Sequence, residues 1–294
     1  MPEIPDLTVY LERLESLILG EPLSNIALQN PFVLRSVEPP PQVAVGQRVN
    51  SLRRIGKRIV IGLDNDLFIV IHLMIAGRLR WRPPGKKITG KLALASFEFP
   101  AGTLFLTEAG TTRRAAMHLV KGAEGLKAFD RGGLEPLDVN GKEFAARLRS
   151  ENHTLKRALT DPRLFSGIGN SYSDEILHRA RLSPMQLTSR LTDEQAGALH
   201  QATRTVLAEW TERLRREAGN DFPEKVTAFH DGMAVHGRYG LPCPDCAAPV
   251  QRIRYATNET NYCARCQTGG RLLADRAMSR LLKEDWPRSI DELD

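Results

Sequence analysis

Cysteine is scarce in this sequence: Cys243, Cys246, Cys263 and Cys266 are the only four among 294 residues. No secretory signal opens the chain and no thiol is left over, so the two-disulfide alternative lacks its usual oxidising compartment. Long apolar runs are missing too. None approaches the roughly 18 residues of a membrane span, so a soluble, cytosolic protein is expected. Internal repeats and low-complexity tracts are absent, and the length leaves room for two or three domains with ample cores. Acidic side chains are nearly missing from one stretch. Between Gln47 and Lys91 only Asp64 and Asp66 oppose eleven Lys and Arg residues. These are Arg48, Arg53, Arg54, Lys57, Arg58, Arg78, Arg80, Arg82, Lys86, Lys87 and Lys91. The formal charge of +6 is therefore concentrated there, and the rest of the chain is slightly acidic. A basic band of this kind points to a polyanion such as DNA or RNA, against the plainer reading of a solvated charged face.

The four cysteines fall in two Cys-x-x-Cys pairs separated by sixteen residues, the spacing of zinc ribbons and knuckles. Four thiolates complete a tetrahedral Zn²⁺ and leave no open position. One structural zinc is expected, holding a fold and doing no chemistry.

Leu7, Leu11, Leu14 and Leu17/Ile18 recur at helical spacing up to Gly20, which predicts a first amphipathic helix. From about Val49 to Leu106 the pattern changes to strands. Arg58–Leu63 and Leu67–Leu73 are β-branched runs split by Asp64-Asn65-Asp66, a hairpin signature. Leu92–Phe99 and Thr103–Leu106 form a second pair across Pro100-Ala101-Gly102. An antiparallel β-sandwich is expected. After Gly122 the chain turns helical, with three-to-four spacing over 142–160 and again at Tyr172, Ile176, Leu177 and Ala180. Thr192 and Gln195 form a capping box opening a long helix with the stripe Leu199, Ala202, Val206, Trp210 and Leu214, ending near Gly219.

Met1-Pro2-Glu3 opens the chain. A small second residue permits removal of the initiator methionine, so the mature chain is expected to begin at Pro2. A terminal α-amine has a pKa of about 7.7–8.0, leaving a neutral fraction that can attack an electrophilic carbon and form an iminium. Glu3 beside it can exchange a proton. A disordered, inert terminus is the alternative.

Several segments together resemble one family. Gly167-Ile168-Gly169-Asn170-Ser171-Tyr172-Ser173-Asp174-Glu175-Ile176-Leu177, then Arg179-Ala180 and Ser183-Pro184, resembles the helix–two-turn–helix motif of the formamidopyrimidine-DNA glycosylase/endonuclease VIII family. Met1-Pro2-Glu3-Ile4-Pro5-Asp6 is similar to its opening, with Asp6 in place of Glu. Ile55-Gly56-Lys57-Arg58 is similar to its Gly-Lys, and Val235-His236-Gly237-Arg238 with Cys-x-x-Cys-Gln ending at Gln267 completes the likeness.

The resemblance implies an α+β protein: an N-terminal sandwich with a leading helix over 1–125, a helical helix–two-turn–helix domain over 126–225, a zinc hairpin over 226–270 and a tail over 271–294. It implies a base-excision-repair DNA glycosylase with AP lyase activity, acting as a monomer on double-stranded DNA that carries a damaged base or an abasic site. Pro2 would form the Schiff base, Glu3 would protonate the sugar, and Lys57 would bind phosphate or steer electrostatics. Asn170 would grip the backbone, with His72 and Lys156 near phosphate.

The chain also departs from the family. Ile75 stands where a Met is usual. Glu108-Ala109-Gly110-Thr111-Thr112-Arg113-Arg114-Ala115 replaces Asp-Pro-Arg-Arg-Phe, so the wedge position becomes Ala115 and Arg113 or Arg114 is expected to fill the vacated base space. Asn258 replaces an Arg of the zinc hairpin, with Arg252, Arg254 or Arg265 as substitutes, Arg254 being the residue assigned here. Tyr255 and Tyr262 are expected to pack the hairpin, and an apolar stripe from Leu272 to Leu282 predicts a tail helix. The short stretch from Gly219 to Val235 argues against 8-oxoguanine as the main lesion. Two other readings remain: a relative that binds damage without cutting, and an RNA- or ribosome-associated zinc protein.

Overall fold

The computed structural model describes residues 1–86, 88, 92–110, 112–255, 258–273 and 287–292, without the side chains of Tyr255 and Asn258. Contacts divide the chain into two units, Met1–Arg131 with Trp210–Thr227, and Gly132–Glu209 with Ala228–Asp294. This grouping differs from the domain division read from the sequence. The end of the long helix clusters with the sandwich, and the cysteine module clusters with the helical segment.

The first unit begins with helix α1, Ile4–Ile18. Its Leu7, Tyr10, Leu14 and Ile18 are fully buried, as the periodicity requires, and Gly20 turns the chain at φ +81°. Eight strands follow in two four-stranded antiparallel sheets. One sheet runs β1-β6-β7-β5, with β1 Asn25–Leu28, β5 Gly77–Arg82, β6 Ala93–Phe99 and β7 Gly102–Glu108. The other runs β2-β3-β4-β8, with β2 Val49–Ile55, β3 Arg58–Leu63, β4 Leu67–His72 and β8 Ala116–Lys121. Both hairpins read from the sequence form. Asn65 and Asp66 take φ of 59° and 56°, the left-handed pair that a tight β3–β4 turn demands. Side chains of both sheets, including Ile59, Ile61, Ile69, Ile71, Phe97, Leu104 and Leu106, share one core with α1. The outward Val60 and Val70 are also buried, under Leu126 of helix α2 (Gly122–Lys127) and Phe129. This second cover explains why β3 reads as a nearly continuous apolar run.

The second unit holds α3 (Gly141–Arg149), α4 (Leu155–Thr160), α5 (Asn170–Arg179) and the first part of α6 (Asp193–Ala218). The pattern over 142–160 is two helices, because Thr154 caps a fresh start by accepting from the Arg157 N–H. The Thr192/Gln195 capping box is present, with both reciprocal bonds at 3.2 Å. Strands β9 (Gln251–Tyr255) and β10 (Asn258–Tyr262) form a hairpin, followed by α7, Ala264–Thr268. Tyr262 is buried and its hydroxyl accepts from the Leu273 N–H at 2.8 Å. Leu272 and Leu273 pack into this module. The rest of the expected tail helix, with Met278, Leu281 and Leu282, lies outside the described residues.

Candidate functional site

The chain's start is a built feature. Pro2 is buried and Glu3 is 3% exposed at the head of α1. Glu3 and Asp6 form a capping box in which the Glu3 N–H donates to Asp6 Oδ2 at 2.9 Å. The Asp6 carboxylate thus fixes the backbone of the Pro2–Glu3 start. The start of the chain is therefore ordered and buried, not a disordered terminus. The α-amine, here on Met1, has its pKa lowered first by burial; Arg78 and Lys57 lower it further, against Glu3 and Asp6. Burial and neighbouring cations both disfavour the protonated form, so the neutral, nucleophilic form is enriched.

Lys57 is half-buried in the β2–β3 turn, where Gly56 takes φ +59°. His72 ends β4 directly across from Arg58. Burial, then Arg58, Lys57 and His118, pushes its pKa down to about 4. At neutral pH it is an uncharged imidazole, so any phosphate contact it makes is a hydrogen bond and not an ion pair.

Much of the basic band is committed to structure. Arg78 donates to the carbonyls of Val226, Ile75 and Gly77, and Arg82 pairs with Glu224. The arginines of β5 therefore clamp the segment after α6 onto the sandwich. Arg58 donates to Phe129 O and lies over its ring, and Arg48 donates to Gly20 O. Lys87 and Lys91 lie outside the described residues. Sequence reading treated these cations as one surface because it could not see their partners.

Ala115, which stands at the family's wedge position, is 3% exposed and belongs to the sandwich core, so it inserts nothing into a duplex. Buried Glu108 holds the preceding loop, accepting the N–H groups of Arg114 at 2.8 Å and Ala115 at 2.9 Å. Arg114 is exposed and Arg113 half-buried. Ile75, in the β4–β5 turn, is 62% exposed, an apolar side chain held out in water.

In the second unit, Gly167 (φ +81°) and Gly169 lead into α5, and a helix start of this kind favours negative charge. Asn170, expected to offer its amide outward, gives it to Glu259 O on β10 at 2.9 Å. Lys156 is likewise engaged, with Nζ 2.6 Å from both Asn170 O and Asp174 Oδ1. Asp174 is 1% exposed and also meets His236 Nδ1 at 2.8 Å. Glu175 accepts the N–H groups of Ala234, Val235 and His236 at 2.7–3.0 Å. Asp174, Glu175 and His236 lie within the motifs identified from the sequence, which assigns them no role. Their signal was the charged pair Asp174-Glu175 inside an otherwise buried helix face, which demands internal partners. Arg252 stacks 4.0 Å over Tyr239 and lies 3.7 Å from Glu259, while Arg265 pairs with Asp291 at 3.3 Å. Arg254 is exposed, and its register partner is Glu259, the residue whose carbonyl Asn170 holds.

The four cysteine sulfurs lie within 4.8 Å of one another, with Cys243–Cys266 at 3.9 Å and Cys246–Cys263 at 3.4 Å. A tetrahedron with Zn–S of about 2.3 Å has edges of about 3.8 Å, so the set fits one structural Zn²⁺. All four are free thiols, without disulfides. Burial pushes the Cys263 thiol up to about 11, so metal binding must displace its proton. Among the described residues no helix is long and apolar enough to cross a membrane.

Three family models match: the formamidopyrimidine-DNA glycosylase N-terminal domain over 1–119, the formamidopyrimidine-DNA glycosylase H2TH domain over 133–217, and the zinc finger found in FPG and IleRS over 240–269. The formamidopyrimidine-DNA glycosylase of Thermus thermophilus is 34% identical over 284 residues, covering 92% of this chain and 100% of the relative. An uncharacterized formamidopyrimidine-DNA glycosylase-like protein of Mycobacterium tuberculosis is 41% identical over 151 residues, 51% of this chain and 94% of its own. The Thermus thermophilus crystal structure aligns with TM-score 0.75 at 31% identity, over 90% of this chain and 98% of that one. The Lactococcus lactis protein in complex with abasic-site DNA aligns with TM-score 0.79 at 23% identity, over 90% and 99%, a likeness of fold.

Proposed function

Because this chain belongs to the formamidopyrimidine-DNA glycosylase family, we propose that it excises a damaged base through its Pro2 amine and then cuts the strand as an AP lyase. The observation that carries this reading is the buried Pro2–Glu3 start at the head of α1, held in place by the Glu3–Asp6 capping box. While Met1 is present the Pro2 nitrogen is an amide and cannot attack, so removal of Met1 is a precondition. Once exposed, the secondary amine attacks C1′ and the bond from C1′ to the base breaks, the base leaving with a proton. Glu3 protonates the ring oxygen, the sugar opens, and an iminium joins Pro2 to C1′. Loss of a C2′ proton then breaks the bond from C3′ to its phosphate oxygen.

The substrate is double-stranded DNA carrying a damaged base or an abasic site, and the enzyme acts as a monomer. The Gly167–Asn170 loop and Arg254 take phosphates, with Lys156 bracing Asn170 from behind. Lys57 and His72 serve the phosphates near the amine. Eversion of the nucleotide costs a few kcal/mol, and side chains that fill the gap offset it. Exposed Ile75 suits that task, with Arg113 or Arg114 beside the orphaned base. Part of the short stretch after Gly219 is tied down through Glu224 and Val226. Little chain is left to cover a base, so 8-oxoguanine is not the principal lesion.

The core position of Ala115 favours a second reading, a relative that binds damage without cutting. Borohydride reduction with abasic-site duplex DNA separates the two. Protein shown by mass spectrometry to start at Pro2 should give a covalent adduct, while Pro2→Gly should give far less and bind DNA as well. DNA binding with no adduct from the Pro2-initiated protein would leave only the second reading.

A further inference from the structure

His178 has no part in the chemistry above, yet it sits against the zinc cluster. It lies in the last turn of α5, is 4% exposed, and places Nε2 3.3 Å from Cys243 Sγ. Asp245 Oδ2 lies 4.0 Å from Nε2, and Cys266 Sγ is within 4.8 Å of the same side of the ring. When the metal is bound, the Cys243 sulfur is a thiolate and can only accept; the carboxylate can only accept as well. The proton of the imidazole must then reside on Nε2. Four thiolates already saturate a tetrahedral zinc, so the ring has no ligand position to take.

We propose that His178 is a positioning residue of the zinc site, its Nε2–H donating to the Cys243 thiolate and so tying retention of the metal to helix α5. The hydrogen bond spreads the sulfur's charge and fixes its direction, which raises the barrier to losing that ligand. Two further ties join the same stretch to the cysteine module. Asn170, at the head of α5, donates to Glu259 O at 2.9 Å, and Gln267 Nε2 donates to Leu182 O at 2.9 Å, just beyond its end. Those two fasten backbone, whereas His178 touches a ligand atom. The helix that carries the phosphate-binding loop at one end therefore steadies the metal at the other.

The test follows zinc leaving the full-length, zinc-loaded protein for the chelator 4-(2-pyridylazo)resorcinol, at fixed pH. His178→Phe keeps the ring's bulk and removes the donor; zinc should leave roughly tenfold faster, the lower end of the loss usual for such supporting contacts. His178→Gln retains an N–H and should recover most of the wild-type rate. Release from the Phe variant at the wild-type rate overturns the proposal. So does a Gln variant as fast as Phe, which would mean that the ring only packs. Should the Phe variant not fold, the unmutated protein loaded with ¹¹³Cd decides: its His178 Nε2–H should show scalar coupling to the metal. An unprotonated Nε2 there overturns the assignment.

Discussion

The two units hold their functional groups by opposite means. In the sandwich unit the Pro2–Glu3 start, Lys57 and His72 sit at the ends of elements whose positions are fixed by one apolar core. In the other unit Asn170, Lys156 and Asp174 are fixed by buried charges that satisfy one another and by a metal cluster. An apolar core is redundant, because many contacts share the load and one change is felt in proportion to its volume. A buried polar network is not redundant, since removing one partner strands the others. The Pro2–Glu3 start therefore rests on a tolerant scaffold, and the Gly167–Asn170 loop on a brittle one.

The sharpest break in that comparison is Cys263→Ser. Zinc binding in such modules is worth on the order of ten kcal/mol, so the metal:protein ratio should fall towards zero. Hydrogen-exchange protection should vanish over 240–270 and persist in β3 and β4. Retained metal, or equal loss in both units, would erase the distinction.

Asp174→Ala comes next. It leaves Lys156 and His236 without their shared carboxylate, at a cost of about 3–5 kcal/mol by analogy with broken buried ion pairs. Denaturant unfolding should show it, with Asp174→Asn losing less because the amide still offers an acceptor. Equal, small losses for both would mean that the network carries no weight.

The smallest effect tests the sandwich unit. His72 has its pKa lowered from 6.5 to about 4, by burial and then by Arg58, Lys57 and His118. The folded state resists a proton that the unfolded chain accepts, so this contribution is whole above pH 6.5. It is lost progressively as pH falls from 6.5 towards 4. His72→Gln should unfold with a shallower pH dependence across that window and be indistinguishable in slope above it. Parallel curves for the two proteins would contradict the buried, neutral imidazole.

Some features were legible because their cause is local. Asp64-Asn65-Asp66 accepts left-handed backbone, so the β3–β4 hairpin follows from three residues. Thr192 and Gln195 are close enough to cap one another, and the cysteine spacing encodes a tetrahedron. Other features have causes far along the chain. Nothing near Asn170 announces that its amide will meet Glu259, and nothing near Arg82 announces Glu224. Ala115 was matched to the wedge position by counting along the sequence, whereas its place in the core is set by the sheets that close around it.

The order of residues alone determined the Pro2–Glu3 opening, the four thiols, the turn and capping chemistry and the apolar periods. These depend on side-chain type and on partners within one turn or one hairpin. Tertiary structure decided which cations stay available, which polar groups satisfy one another, and how deeply the start of the chain is buried. Those outcomes are set by burial and by partners distant in the chain, and neither is a property of any single stretch of sequence.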